Sequence, residues 1–139
     1  MESKGMTVDV PACRAFLRAR DRERDREQEA YRREVVRMAW EAGRSVLPAF
    51  PQVRRAYLFG STVRRGAMRS DSDIDVAVEG VLSAEAYFAL WRELEHAMSG
   101  RTVDVVELGK DRHFAERVRQ TGEVIYERAD SDAESGHRR

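Results

Sequence analysis

The sequence predicts an α/β protein of the α+β kind: a small mixed β-sheet of about four strands, helices packed on one side, and a long helix ahead of it. Three observations predict this. Short apolar stretches at Arg55–Phe59, Ile74–Val78, Thr102–Leu108 and Glu123–Glu127 read as strands, and Ile74, Val76 and Val78 alternate with Asp73, Asp75 and Ala77 at a period of two. Stripes at helical spacing lie before and between them. The resulting order is helix, strand, strand, helix, strand, helix, strand, with no internal repeat, which suits helices laid on a mixed sheet.

Residues 1–12 read as a loose lead-in, with Gly5 and Pro11 as breakers. From about Ala12 to Leu47 the chain favours helix. Its first part, Arg18 to Glu29, is polar on every side and reads as a solvated helix held by i,i+4 charge pairs, or as a partner-binding arm. Its second part spaces Tyr31, Val35, Met38/Ala39, Ala42 and Val46 as a core-facing stripe, which Pro48 and Pro51 end. The strand Arg55–Phe59 leads straight into Gly60-Ser61, and a polar stretch runs to Ser72. After Glu79-Gly80, Ser83 caps a helix to Ser99 that Gly100 terminates. On this helix Tyr87, Phe88 and Trp91 fall at core spacing, as does Trp40 on the first. Asp111–Gln120 forms a short helix with Phe114 and Val118 in register. The expected organisation is a helical extension over residues 1–50, a core over residues 51–128, and a disordered polar tail over residues 129–139.

Composition excludes several classes. The chain has 139 residues, 42% of them apolar, which suits one modest core. Its 25 basic and 25 acidic residues cancel, so nothing draws the whole molecule toward nucleic acid or an anionic membrane, and no direct nucleic-acid binding is expected. Cys13 alone excludes an internal disulfide. No apolar run approaches the roughly 18 residues of a membrane span, and the N-terminus lacks a signal-peptide core. The expected setting is the cytoplasm. His96, His113 and His137 sit at helix ends or in the tail, with no metal-ligand spacing.

The chemistry concentrates in three carboxylates. Residues i and i+2 of a strand share a face, so Asp73 and Asp75 project together while Ile74, Val76 and Val78 point to the core. Two carboxylates about 4 Å apart repel by roughly 4 kcal/mol at an effective dielectric of 20, and a divalent cation is one way to offset that. Asp104 interrupts another apolar strand. Three carboxylates on neighbouring strands suit a two-metal site for phosphoryl or nucleotidyl transfer. An EF-hand reading fails, because Val76 and Leu82 stand where that loop needs Gly and Glu. A lone Asp-x-Asp also fits a solvated strand end. Gly60-Ser61, directly after a strand, adds close backbone approach to a phosphate, and Arg64 and Arg65 follow on the same turn.

The segment LFGSTVRRGAMRSDSDIDVAV, with Asp104 in GRTVDVVEL, resembles the signature of the minimal nucleotidyltransferases of the DNA polymerase β superfamily, over roughly Val53 to Arg128. The resemblance implies a polymerase β-like core and a definite use of these residues. Asp73 and Asp75 would hold two Mg²⁺ ions on the phosphates of ATP. Asp104 would help bind one metal and accept a proton from an attacking hydroxyl. Ser61 and the Gly60 backbone would hold the triphosphate, and transfer would release pyrophosphate. Eleven residues separate Ser61 from Asp73, about one more than the family commonly has, which leaves the separate roles of Arg64 and Arg65 open. Larger relatives carry an added helical domain for the acceptor, whereas about 30 residues follow Leu108 here, so the acceptor is expected in the cleft or on a partner. Many small relatives act as antitoxins beside HEPN-type ribonuclease toxins, which they inactivate by moving AMP to a tyrosine. The resemblance thus implies ATP and a HEPN-type toxin as partners, and the N-terminal helix offers a surface for a homo- or hetero-oligomer. A non-catalytic module that occludes its partner, and a small-molecule nucleotidyltransferase, are the alternatives.

Overall fold

The computed structural model describes residues 9–129. Most of the expected lead-in, and the tail from residue 130, lie outside them. Helix α1 spans Val10–Val46 and starts earlier than the sequence suggests. Asp9 caps it, accepting the Ala12 amide at 3.1 Å. Pro11 falls in the first turn, where a missing N–H costs nothing, so it opens the helix instead of breaking it.

Strand β1 covers Arg55–Phe59 and β2 covers Ile74–Glu79. Helix α2 (Ala84–Ala97) is capped by Ser83, whose Oγ accepts the Ala86 amide at 3.0 Å. Strand β3 (Val103–Leu108), helix α3 (Arg112–Thr121) and strand β4 (Glu123–Glu127) complete the chain. The sheet order is β3-β2-β1-β4, with β2 and β3 parallel and the other pairs antiparallel, so it is mixed.

Strand alternation decides which residues lie on which face. Ala56, Leu58, Ile74, Val76, Val78, Val103, Val105 and Ile125 form one buried face. Against it pack Val35, Ala39, Ala42 and Val46 of α1 and Leu90, Leu94 and Met98 of α2. Helices α1 and α2 thus lie on one side as expected. Helix α3 departs from that expectation and lies against the opposite face, where the apolar Tyr57, Ala77 and Leu108 need cover from Ala115 and Val118. That face also carries the aspartates.

The aromatic stripe of α2 differs from expectation. Phe88 is 52% exposed and Trp91 37%. At 3.6 residues per turn, Phe88 lies about 120° from the centre of the Leu90/Leu94/Met98 stripe and Trp91 on its flank. Trp91 instead uses Nε1 to donate to the Val103 carbonyl at 2.8 Å, and Tyr87 donates its hydroxyl to the Val105 carbonyl at 2.7 Å. Trp40 on α1 is half-buried, with Nε1 donating to Glu123 at 2.7 Å.

Candidate active site

Burial of Ile74, Val76 and Val78 on the α1/α2 side turns Asp73 and Asp75 to the other face. In the parallel β2–β3 ladder Asp75 stands directly opposite Asp104. In the antiparallel β1–β2 ladder it stands opposite Phe59, the residue before Gly60. Asp75 is half-buried, and Asp73 and Asp104 are exposed. Burial pushes the Asp75 carboxyl above its ordinary value, and the negative charges of Asp104 and Asp73 add to the shift. The three acids therefore share one electrostatic site.

Gly60 borders that site. Its φ is +77°, and a Cβ there would collide with Asp75 Oδ2 and lie 3.3 Å from Cγ. Only glycine allows both the conformation and the approach. Residues Gly60–Val63 form a turn of 3₁₀ helix, closed by the Arg64 amide donating to the Ser61 carbonyl at 3.2 Å. The loop that follows is fixed to α1. Gln28 Nε2 donates to the carbonyls of Met68 at 2.7 Å and Gly66 at 3.2 Å, and the Met68 side chain is buried. Arg32 reaches the Thr62 carbonyl at 2.9 Å, held by a double contact with Glu29.

The structure thus brings Asp73, Asp75, Asp104 and Gly60 to one end of one sheet face, with Ser61 next in the turn that Gly60 opens. The two arginines separate. Arg64 lines a cavity beside Gly60, whereas Arg65 turns toward α1, 3.9 Å from Glu29. Phe114 and Arg117 of α3 line the same cavity as Arg64. The sequence reading placed neither at the site, although Phe114, Arg117, Val118 and Thr121 recur at i, i+3, i+4 and i+7, the signal of a shared face.

As a donor set, three carboxylates are the hard oxygen ligands that suit Mg²⁺. Among the described residues no arginine or lysine pairs with any of them, so their lone pairs are open to a cation. Among the same residues, no three His, Cys, Asp or Glu side chains close into a cage around a metal position. The set fits a cation in chemistry, with remaining ligands left to a substrate and water.

Residues 44–131 match the family model described as polymerase beta, nucleotidyltransferase. The chain belongs to the polymerase β nucleotidyltransferase family. Among solved structures, this nucleotidyltransferase is similar to a toxin–antitoxin crystallised with AMP-PNP, at 26% identity and a TM-score of 0.55, over 68% of this chain and 77% of that one. It also shares its fold with a mutant MntA–HpeT toxin–antitoxin structure, at 22% identity and a TM-score of 0.50, over 73% of this chain and 77% of that one. No curated protein matches it significantly. Among the described residues no helix is long and apolar enough to cross a membrane.

Proposed function

We propose that this nucleotidyltransferase is a metal-dependent protein adenylyltransferase of the cytoplasm, an antitoxin that moves AMP from ATP to a hydroxyl of a HEPN-type toxin. The observation that carries the proposal is the pairing of Asp75 with Asp104 across β2–β3, with Gly60 pressed against the Asp75 carboxylate. A nucleotidyl transfer needs positive charge and a close phosphate approach at the same place: carboxylates paired in this way would recruit the cation that brings the charge, and the glycine turn beside them would offer its amides to the phosphates. The resemblance to a toxin–antitoxin crystallised with AMP-PNP supports the choice of nucleotide and partner.

Asp73, Asp75 and Asp104 would hold two Mg²⁺ ions, which when bound supply positive charge to the phosphates. Asp104 takes the proton of the attacking hydroxyl. The amides of the Gly60–Val63 turn and the Ser61 hydroxyl orient the phosphates. The acceptor oxygen forms a bond to the α-phosphorus, and the bond from that phosphorus to the bridging oxygen breaks, so pyrophosphate leaves with the electron pair.

Incubation with labelled ATP, Mg²⁺ and the adjacent gene's product tests the proposal. Label should move to that product and stop in the Asp73→Ala/Asp75→Ala variant. No transfer, or transfer undiminished in the variant, overturns it.

A second reading is favoured by α1, whose residues Val10–Glu27 are exposed throughout and carry Phe16 at 62% and Leu17 at 52% exposure. Such an arm is suited to hold a partner or a second copy and to neutralise by occlusion. If Asp73→Ala/Asp75→Ala/Asp104→Ala still neutralises the partner, occlusion replaces catalysis.

A further inference from the structure

A cavity of about 510 Å³ lies between the Gly60–Val63 turn and α3. Gly60 joins it to the aspartates: a Cβ at Gly60 would meet Asp75, and Gly60 also lines the cavity. The walls are apolar where Phe59 and Phe114 meet edge to face at 5.4 Å and where Val118 is buried. Its charged groups are Arg64 from the turn and Arg117 from α3, and no carboxylate lines it. Of the neighbouring arginines, Arg119 is bonded to Glu79 at 2.8 Å, and Arg65 points toward α1, 3.9 Å from Glu29. Among the described residues Arg64 and Arg117 have no acidic partner. The two helix neighbours Arg117 and Arg119 are thus treated differently by the fold, and the unpaired one faces the cavity.

The site therefore has two poles. Asp75 and Asp104 stand on β2 and β3 with Asp73 just before β2, and Arg64 and Arg117 line the cavity that Gly60 borders. We propose that Arg117 is a polyphosphate-binding residue that grips, with Arg64, the pyrophosphate end of the donor nucleotide. This rests on the proposed nucleotidyl transfer. The phosphorus that reacts must sit at the carboxylates, where metal charge and the proton acceptor are. The two phosphates beyond it carry most of the remaining negative charge, and two guanidinium groups match that charge more strongly than they match an uncharged nucleoside. As the bond from the α-phosphorus to its bridging oxygen breaks, the electron pair moves to the departing pyrophosphate. A guanidinium meeting that oxygen group against apolar walls is worth more than one in open water.

The test is calorimetric titration of the whole protein with ATP, pyrophosphate and AMP, each in Mg²⁺ and with no acceptor, so that no transfer occurs. Arg117→Ala should weaken ATP and pyrophosphate by about tenfold, the size of one charge-assisted hydrogen bond, and leave AMP unchanged. Arg117→Lys should recover part of the loss. Arg112→Ala, exposed on the same helix and outside the cavity, should bind all three as wild type does. Unchanged ATP and pyrophosphate affinity in Arg117→Ala overturns the assignment. So does an AMP loss as large as the ATP loss, which would place the nucleoside in the cavity. A wild-type protein that binds neither ATP nor pyrophosphate overturns the nucleotidyl-transfer reading itself.

Discussion

Gly60 and Asp75 are in contact across the β1–β2 pair, with the glycine at φ +77° and its missing side chain occupied by the carboxylate. Gly60→Ala would force an alanine into the left-handed region, at roughly 1–2 kcal/mol, and push the Asp75 carboxylate aside. We expect a melting temperature several degrees lower and no further thermal shift on adding ATP and Mg²⁺. Wild type should gain stability from the same addition. A Gly60→Ala protein that shifts with ATP as wild type does would count against the contact.

Asp75 is crowded by its own burial and by Asp104 and Asp73, which hold its carboxyl above the ordinary range. An aspartate raised in the folded state destabilises the fold where it is ionised, and the penalty fades as pH falls through the folded pKa. Asp75→Asn removes that penalty near neutral pH. In metal-free buffer the variant should melt about 2–4 °C higher than wild type, with the gap closing in acid. The proposed AMP transfer should vanish. Wild type should gain stability from Mg²⁺ and the variant much less. A variant less stable than wild type at neutral pH would refute the crowding.

How far the sequence carried this reading depends on the range of the contacts. Ile74, Val76 and Val78 announce their strand because a sheet with one apolar face must alternate, and the same alternation assigns Asp73 and Asp75 to the other face. Phe88 looks like a core residue by its aromatic side chain and its neighbours Tyr87 and Trp91, yet its angle, about 120° from the Leu90/Leu94/Met98 stripe, takes it off the buried face. Helix α3 reads as a helix, yet no local pattern says that it lies on the aspartate face. Glu29 is harder still. It closes a stretch polar on every side, and it is 8% exposed only because the loop after Ser61 folds back over α1.

That buried acid gives a pH prediction. Hydrogen bonds from Arg32 take the Glu29 carboxyl down to about 2 from 4.5, with Arg33 and Arg65 adding to the effect. A depressed carboxyl contributes stability that is present above its unfolded pKa and lost as pH falls through the folded one. The gap in urea midpoint between wild type and Glu29→Gln should be full near neutral pH. It should narrow below about 4.5 and close near 2. Because Arg32 also holds the Thr62 carbonyl at 2.9 Å, the variant should loosen the Gly60–Val63 turn and weaken ATP binding. A gap that widens in acid would contradict the ion pair.

The exposed half of α1 separates stability from partner recognition. From Val10 to Glu27 every residue is exposed, and the core stripe of the helix begins later, at Val35. At 1.5 Å per residue, the segment before Gln28 extends about 27 Å, and only Gln28 and the residues beyond it are anchored to the loop. Helix this polar is held by neighbouring charges worth a few tenths of a kcal/mol each, so its loss removes little folding energy. A chain starting at Asp25 should therefore melt within about 2 °C of the full chain and bind ATP equally well. The proposed AMP transfer to the partner protein should fall, with the loss in KM for the partner and not in KM for ATP. Equal transfer by the shortened chain would free α1 from any part in recognition. A collapse in melting temperature would mean that the arm packs where its exposure says it does not.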